Sequence, residues 1–314
     1  MPIRPIEHGI FASSGAAAGG GFAYFMGTGQ DENYTYMTFI DKVAYADDSR
    51  STLSATMTDG HKDANAMANP GSAAYCTGGE NAGGVHKSTD KIAFSDDSHS
   101  VLTSELSANR YGGACLSNAG VKGYYCGGNQ YPIVSTIQPL TFSTEAWSTA
   151  SSTLNYSPLN PGSFNNNAVA GYVLGTYTGS TTQIDKMTYP GESVSTLTAT
   201  LSPGGGYISG GLGDTGVAGY TYIYAHPYTG VQKVTFSTDA LSTITATLTK
   251  IRYTAQTSAT GTAGYWMAGN TDTANATDTI KRMEFPGETI STVSTVLSDA
   301  VTRATAATNE LALA

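Results

Sequence analysis

The stretch IDKVAYADDSRS, residues 40–51, is the first of six versions of one pattern that runs through the chain. Its aromatic residue, Tyr45, ends a short run in which apolar and polar residues alternate, as in a half-buried β-strand. An aliphatic residue stands two positions before the aromatic, a base three before it, an acid three after it and a serine six after it. Such self-similarity at a constant period indicates a repeat architecture.

The pattern keeps its register over all six copies, at intervals of 47 to 49 residues. The repeat aromatics are Tyr45, Phe94, Phe142, Tyr189, Phe236 and Phe285. The acids, which we call the tip acids, are Asp48, Asp97, Glu145, Glu192, Asp239 and Glu288. The base is Lys42, Lys91, Lys186, Lys233 or Arg282 in five copies, and Pro139 replaces it in the third. Six structurally equivalent units are therefore expected.

Each unit contains four segments that predict strands. The innermost is rich in small residues, the second carries Gly-Tyr as in GYYCGG (residues 123–128), the third ends on the repeat aromatic, and the outermost alternates as in LTATL (residues 197–201). We predict an all-β fold, a six-bladed β-propeller of four-stranded antiparallel blades, with a seven-bladed ring containing one incomplete blade as the alternative. Residues 9–314 would form this single domain, and residues 1–8 an N-terminal arm.

The two ends of the domain both contain a strand of the innermost type, at residues 9–14 and 302–309. One of them should complete the first blade, because closure removes an open sheet edge. The other would be surplus and free to pair with a neighbouring subunit, so a homo-oligomer remains an open alternative.

The composition excludes several classes of protein. Only 12% of the 314 residues are charged, 37 are glycine, and the net charge is −9. An acidic chain lacks the footprint of a nucleic-acid-binding protein. No segment approaches the roughly 18 apolar residues of a membrane span. Residues 1–8 lack a charged leader followed by an apolar run, so we expect no signal peptide.

The residues that usually carry catalysis are dispersed. The five histidines and Cys76, Cys115 and Cys126 show no metal-ligand spacing, and neither a nucleophile elbow nor a P-loop is present. We therefore expect no catalytic residue, no cofactor and no metal. We interpret the tip acids, with the serine, as caps of the hairpin between the third and fourth strands. Spread around a rim, they could not act as the facing carboxylate pair of a glycoside hydrolase. The bases should pair with acids of adjacent strands.

The loops after the second strand vary most between copies and are the predicted binding surface, because tyrosine and asparagine on loops suit recognition. The candidate residues are Tyr34, Tyr36, Asn81, His86, Asn129, Tyr131, Tyr177, Tyr228, Asn270 and Asn275.

The unit that starts near Arg110 and continues through GYYCGG to the aromatic-ending third strand resembles the kelch-type β-propeller repeat. It departs from that repeat because Gly-Gly is complete only at residues 78–79 and 127–128, and only Trp147 lies near a fourth strand. A closer resemblance is to the repeat arrays in virion proteins of tailed phages of marine bacteria. Those arrays run Gly-Tyr-aromatic-Gly-Gly, then Ile-Asp-Lys-aliphatic-x-Phe-Ser, then Ser-Thr-Leu and Arg.

The resemblance implies a non-enzymatic virion structural or adhesion protein, in a tail, a fibre or the capsid surface. Its partners would be other virion proteins, or a glycan or protein of the host cell surface. A chain without a leader would be made in the host cytoplasm, would lie on the virion surface and would reach the outside of the cell by lysis. The alternative is an intracellular kelch-type interaction scaffold, and a glycan-active or copper-dependent propeller enzyme is less favoured.

Overall fold

The computed structural model describes residues 21–27, 29, 35–176, 181–202, 207–214, 216–224, 230–248, 255–258, 262–270 and 276–309. These residues form six four-stranded antiparallel sheets, arranged as the blades of a β-propeller, and contain no helix. The predicted six-bladed fold is confirmed, and the seven-bladed alternative is not adopted.

The first three blades follow the chain from its N-terminal side. Blade 1 contains β1 (Phe22–Met26), β2 (Ile40–Ala44) and β3 (Arg50–Thr52). Blade 2 contains β4 (Asn65–Asn69), β5 (Ala73–Thr77), β8 (Thr89–Ala93) and β9 (His99–Val101), with the small hairpin β6 (Glu80–Asn81) and β7 (Gly84–Val85) between its second and third strands. Blade 3 contains β10 (Ala114–Asn118), β11 (Lys122–Cys126), β12 (Ile137–Thr141) and β13 (Ala146–Trp147).

The remaining blades repeat this order. Blade 4 contains β14 (Gly162–Asn166), β15 (Ala170–Leu174), β16 (Ile184–Thr188) and β17 (Ser193–Thr196). Blade 5 contains β18 (Tyr207–Asp214), β19 (Ala218–Tyr224), β20 (Gly230–Thr235) and β21 (Ala240–Thr247). Blade 6 contains β22 (Ala255–Ser258), β23 (Ala263–Met267), β24 (Thr277–Glu284) and β25 (Thr289–Val301), and β26 (Thr305–Thr308) ends the described chain.

The C-terminal strand closes the ring. Strand β26 pairs antiparallel with β1, with Thr308 opposite Ala23, and becomes the innermost strand of blade 1. The amide of Phe22 donates to Asn309 Oδ1 at 2.6 Å beside this pairing. Each innermost strand also contacts the innermost strands of both neighbouring blades. The prediction that one terminal strand completes the first blade is confirmed, and the other candidate, residues 9–14, lies outside the described residues.

The apolar core consists of six separate clusters, one between each pair of neighbouring blades. This division follows from the strand period of two, because each blade turns apolar side chains toward both neighbours. The glycine of the Gly-Tyr pair makes room for the neighbour. A Cβ on Gly123 would collide with the side chain of Met67 in blade 2. The glycine-rich second strands therefore reflect close packing between blades.

The strand order gives the propeller two different faces. We call the side with the turns between the first and second and between the third and fourth strands the hairpin face. The opposite side, the loop face, carries the loops between the second and third strands and the connections from one blade to the next. The tip acids lie on the hairpin face, and the described parts of the predicted binding loops lie on the loop face.

Candidate binding face

The tip acids of the hairpin face join each blade to the one before it. All six have a positive φ, between 51° and 57°, which projects the carboxylate away from its own hairpin. Each accepts a hydrogen bond from the tyrosine hydroxyl of the preceding blade's second strand. The pairs are Tyr24–Asp97 at 2.6 Å, Tyr75–Glu145 at 3.0 Å, Tyr124–Glu192 at 3.2 Å, Tyr172–Asp239 at 2.8 Å, Tyr220–Glu288 at 3.0 Å and Tyr265–Asp48 at 2.6 Å.

A base completes each of these contacts. In five blades it stands directly opposite the tyrosine on the third strand, as Lys42 does opposite Tyr24. The ion pairs are Lys42–Asp97 at 2.9 Å, Lys91–Glu145 at 2.5 Å, Lys186–Asp239 at 2.7 Å, Lys233–Glu288 at 2.5 Å and Arg282–Asp48 at 3.0 Å. In blade 3, where Pro139 faces Tyr124, Lys122 of β11 reaches Glu192 at 2.6 Å instead.

The same tyrosines pack against the repeat aromatics of the next blade, stacked at five boundaries and tilted between Tyr24 and Phe94. The ring centroids lie 4.8 to 5.5 Å apart at all six boundaries. Burial, together with the adjacent carboxylate, raises the pKa of each of these tyrosines well above its usual value, so they stay neutral donors. We call the six tyrosines, bases and tip acids together the belt. The belt repeats the same contact at each boundary and so links every blade to the next.

The predicted capping role of the tip acids is wrong. The residue before the tip acid takes that role in two blades: Asp47 accepts from the amide of Ser49 at 3.0 Å, and Asp96 from Ser98 at 3.1 Å. These local bonds lower the pKa of both carboxyls. The tip acids bind a tyrosine and a base of the neighbouring blade. These partners are too distant in the sequence for local turn rules to predict the contact. The prediction that the bases pair with acids is confirmed, but their predicted location on adjacent strands is wrong, because the acids belong to the hairpin of the next blade.

Among the described residues of the loop face, a series of backbone contacts joins consecutive blades. The amide of Asp63 donates to Arg303, that of Gly112 to Asp63, and that of Asn160 to Gly112, at 2.7 to 3.1 Å. These four equivalent residues all have a positive φ. Arg303 Nη1 also pairs with Asp63 Oδ2 at 3.1 Å. Burial raises the pKa of the Asp63 carboxyl even though the arginine acts against the shift.

Two predicted residues, Asn129 and Tyr131, come together in the loop of blade 3. Asn129 Oδ1 accepts from the Tyr131 amide at 2.7 Å, and Asn129 Nδ2 donates to the hydroxyl of Tyr111 at 2.8 Å. The rings of Tyr111 and Tyr131 lie 6.1 Å apart. Tyr111 was not predicted, because it precedes the first strand of its blade, and only the pairing of residues 111 and 129 brings it to this loop.

A third predicted residue, His86, is half-buried in blade 2 and pairs with the buried His61. Its ring stacks on that of His61 with the centroids 4.0 Å apart. His61 is 3% exposed, and burial, with the nearby His86, lowers its pKa to about 4. The Nε2 atoms of both rings are buried and hydrogen-bond to no other described residue. The pair is part of the packing beneath the loop face.

The other predicted residues do not converge with these. Asn81 Oδ1 accepts from the amide of Gly83 at 2.7 Å in the small hairpin of blade 2. Tyr36 lies against Gly60 in blade 1, and Asn270 pairs with Ala276 in blade 6. Tyr34, Tyr177, Tyr228 and Asn275 lie outside the described residues.

The described part of the chain contains no group of three or more side chains suited to hold a metal ion. Its three cysteines are buried and form no disulfide bond with one another. No helix in the same residues is long and apolar enough to cross a membrane. The fold therefore defines the class, a six-bladed β-propeller with a belted hairpin face and a variable loop face. The sequence matches no known protein family, and it matches no curated protein.

Proposed function

We propose that this protein is a non-enzymatic virion component of a tailed phage that binds a glycan or protein of the host surface through its loop face. The observation that carries the binding role is the contrast between the faces. Every blade uses its hairpin-face acid in the belt, whereas equivalent positions of the loop face differ in chemistry between blades 2 and 3. Position-by-position variation on a constant scaffold is how a recognition surface is built.

The change in chemistry is clearest where the loop meets the connection from the preceding blade. In blade 2 this place holds the ion pair Lys62–Glu80 at 3.0 Å. In blade 3 the corresponding pair is Tyr111 and Asn129. The backbone pairing is the same, and the side chains differ in charge, size and hydrogen-bonding capacity. Such differences favour a binding function over a purely structural one.

The phage context rests on the kelch-like repeat and its resemblance to virion repeat arrays. The geometry gives the Gly-Gly motif of that repeat a physical role. Gly78 and Gly79 both have positive φ, and the Gly79 amide donates to the carbonyl of Arg110 in the next blade at 2.7 Å. Gly128 makes the same bond to Pro158 at 3.0 Å. The motif thus turns the second strand and ties adjacent blades, which supports a common origin with such arrays.

A non-enzymatic role agrees with how the carboxylates are used. Each tip acid is held by a tyrosine and a base of the preceding blade, as Asp97 is by Tyr24 and Lys42, whereas a glycoside hydrolase needs two carboxylates that face each other across a sugar. The fold alone does not decide between an enzyme and a binding protein, because propellers carry many activities.

The experiment has two readouts on purified material. Antibodies against the protein should label virions, and the purified chain should bind the host bacterium in a sedimentation assay. Absence of the protein from virions would overturn the phage role. A single stoichiometric partner recovered from host lysate, without binding to cells, would favour the interaction scaffold instead.

A further inference from the structure

The most exposed large apolar side chain of the described residues lies on the loop face. Tyr131 is 71% exposed, although its backbone is held by the hydrogen bond to Asn129. Its φ is 51°, a left-handed conformation that a bulky residue adopts only when its surroundings impose it. A rigid backbone that presents an aromatic ring to solvent indicates a contact surface for a ligand.

We propose that Tyr131, supported by Asn129 and Tyr111, is a carbohydrate-binding subsite in which the tyrosine ring stacks on the apolar face of a sugar. This assignment rests on the proposed function, since it names the ligand class of the loop face. A sugar ring offers one face of C–H groups and a rim of hydroxyls. One exposed aromatic ring with polar groups beside it matches that pattern.

The support of the ring is already built in the free protein. Asn129 is 8% exposed and contacts both tyrosines, one through its oxygen and one through its nitrogen. Burial, with the hydrogen bond to Tyr131, raises the pKa of Tyr111 to about 12, so its hydroxyl remains protonated. The ring therefore needs little ordering when a ligand arrives, which favours affinity.

The surroundings favour a sugar over a protein partner. A stable protein interface needs roughly 800 Å² on each side and a cluster of apolar anchors. The other exposed large apolar residues of the described chain lie elsewhere: Val121, Val169 and Val217 in turns of the hairpin face, and Val101 and Val296 in outermost strands. Tyr131 is therefore the one exposed large apolar residue of the described loop face. The equivalent place of blade 2 holds the ion pair Lys62–Glu80.

The test uses the full chain and an array of immobilised oligosaccharides built from glucose, galactose, mannose, rhamnose and their N-acetylated forms. The chain should bind at least one of them. Tyr131→Ala should lower that affinity at least about tenfold, while Tyr131→Phe, which keeps the ring, should stay within about threefold. Val121→Ala on the hairpin face is the matched control and should change nothing. Saturation-transfer NMR should place the sugar C–H protons against tyrosine ring protons.

Two results would overturn the subsite. One is an array without binding, and the other is unchanged binding by Tyr131→Ala. Binding to host cells separates this failure from failure of the proposed function. If Tyr131→Ala still binds cells, the loop face acts through another ligand, and a protein receptor becomes the favoured class. If the protein is absent from virions and the unmodified chain does not bind cells, the proposed function itself is wrong.

Discussion

Arg282 of the last blade and Asp48 of the first blade form an ion pair with Nη1 and Oδ2 3.0 Å apart, although 234 residues separate them in the chain. Tyr265, which stands opposite Arg282, donates its hydroxyl to the same carboxylate at 2.6 Å. The same three-residue contact joins blades 1 and 2 through Tyr24, Lys42 and Asp97. The closing boundary of the ring is therefore built like the internal ones.

Loss of the closing acid is expected to weaken the fold measurably. Asp48→Asn keeps a residue that tolerates the positive φ but removes the charge received by Tyr265 and Arg282. Both partners of the ion pair are about three-quarters buried or more, so we expect a loss of about 1–3 kcal/mol in the free energy of unfolding, measured with urea. Asp239→Asn should cost a similar amount.

The control for this prediction is Asp299→Asn. Among the described contacts, this exposed carboxylate accepts a hydrogen bond only from the amide of Ala300. It should stay within about 0.5 kcal/mol of the unmodified chain. Equal effects of the three substitutions would mean that the belt contributes nothing specific.

Blade 3 allows a rescue experiment. Lys122→Met should destabilise the protein, because Glu192 and Tyr124 would lose their cation. Adding Pro139→Lys places a base opposite Tyr124, where the other five blades have theirs. The double variant should recover most of the loss, while Pro139→Lys alone should have a small effect. A double variant no more stable than Lys122→Met would show that the position opposite the tyrosine does not determine the contact.

The histidine pair predicts a loss of stability in mild acid. Burial keeps His61 neutral with a pKa of about 4, with His86, Asp90 and Asp59 as the nearby titrating groups. An unfolded histidine has a pKa near 6.5, so the unfolded chain takes up this proton first as the pH falls. The contribution of neutral His61 to stability is complete above about pH 6.5 and is lost progressively toward pH 4, and the part lost by pH 5 amounts to about 2 kcal/mol.

Urea unfolding at pH 7.5 and pH 5 measures this effect. Between pH 7.5 and pH 5 the unmodified chain should lose about 2 kcal/mol more free energy of unfolding than His61→Phe. The variant lacks this loss because phenylalanine cannot take up the proton. The same pH dependence in both proteins would contradict the assignment to His61.

Two glycines in open space should respond to alanine in opposite directions. Gly120 has a φ of 75° and Gly191 has no such left-handed φ, and an added Cβ would meet no atom within 4 Å at either place. Gly120→Ala should cost about 1 kcal/mol because of backbone strain. Gly191→Ala should gain about 0.5 kcal/mol by restricting the unfolded chain. Thermal or urea unfolding of both variants gives the sign directly, and a loss at Gly191 would contradict the prediction.

Much of the architecture was predictable because the repeat is local. A period of 47 to 49 residues gives the number of blades, and alternation within each copy gives four strands. The belt was only half predictable. The constancy of the acid and the base was visible, but their pairing joins different copies, and every copy looks the same along the chain. In blade 3, Lys122 supplies the base that Pro139 lacks. This was not predictable, because the two residues lie on different strands that come together only through strand pairing.

The candidate site shows the same division. Variation of the loops after the second strand identified Asn129 and Tyr131, but nothing local linked them to Tyr111, 18 residues earlier in the chain than Asn129. By itself the sequence determined the repeat and the strands, because these depend on short-range alternation and turn residues. Only the tertiary structure decided that the tip acids bind the neighbouring blade, that β26 closes the ring and that Tyr131 stands exposed on a rigid support. Those outcomes depend on packing between segments whose separation in sequence carries no information about their distance in space.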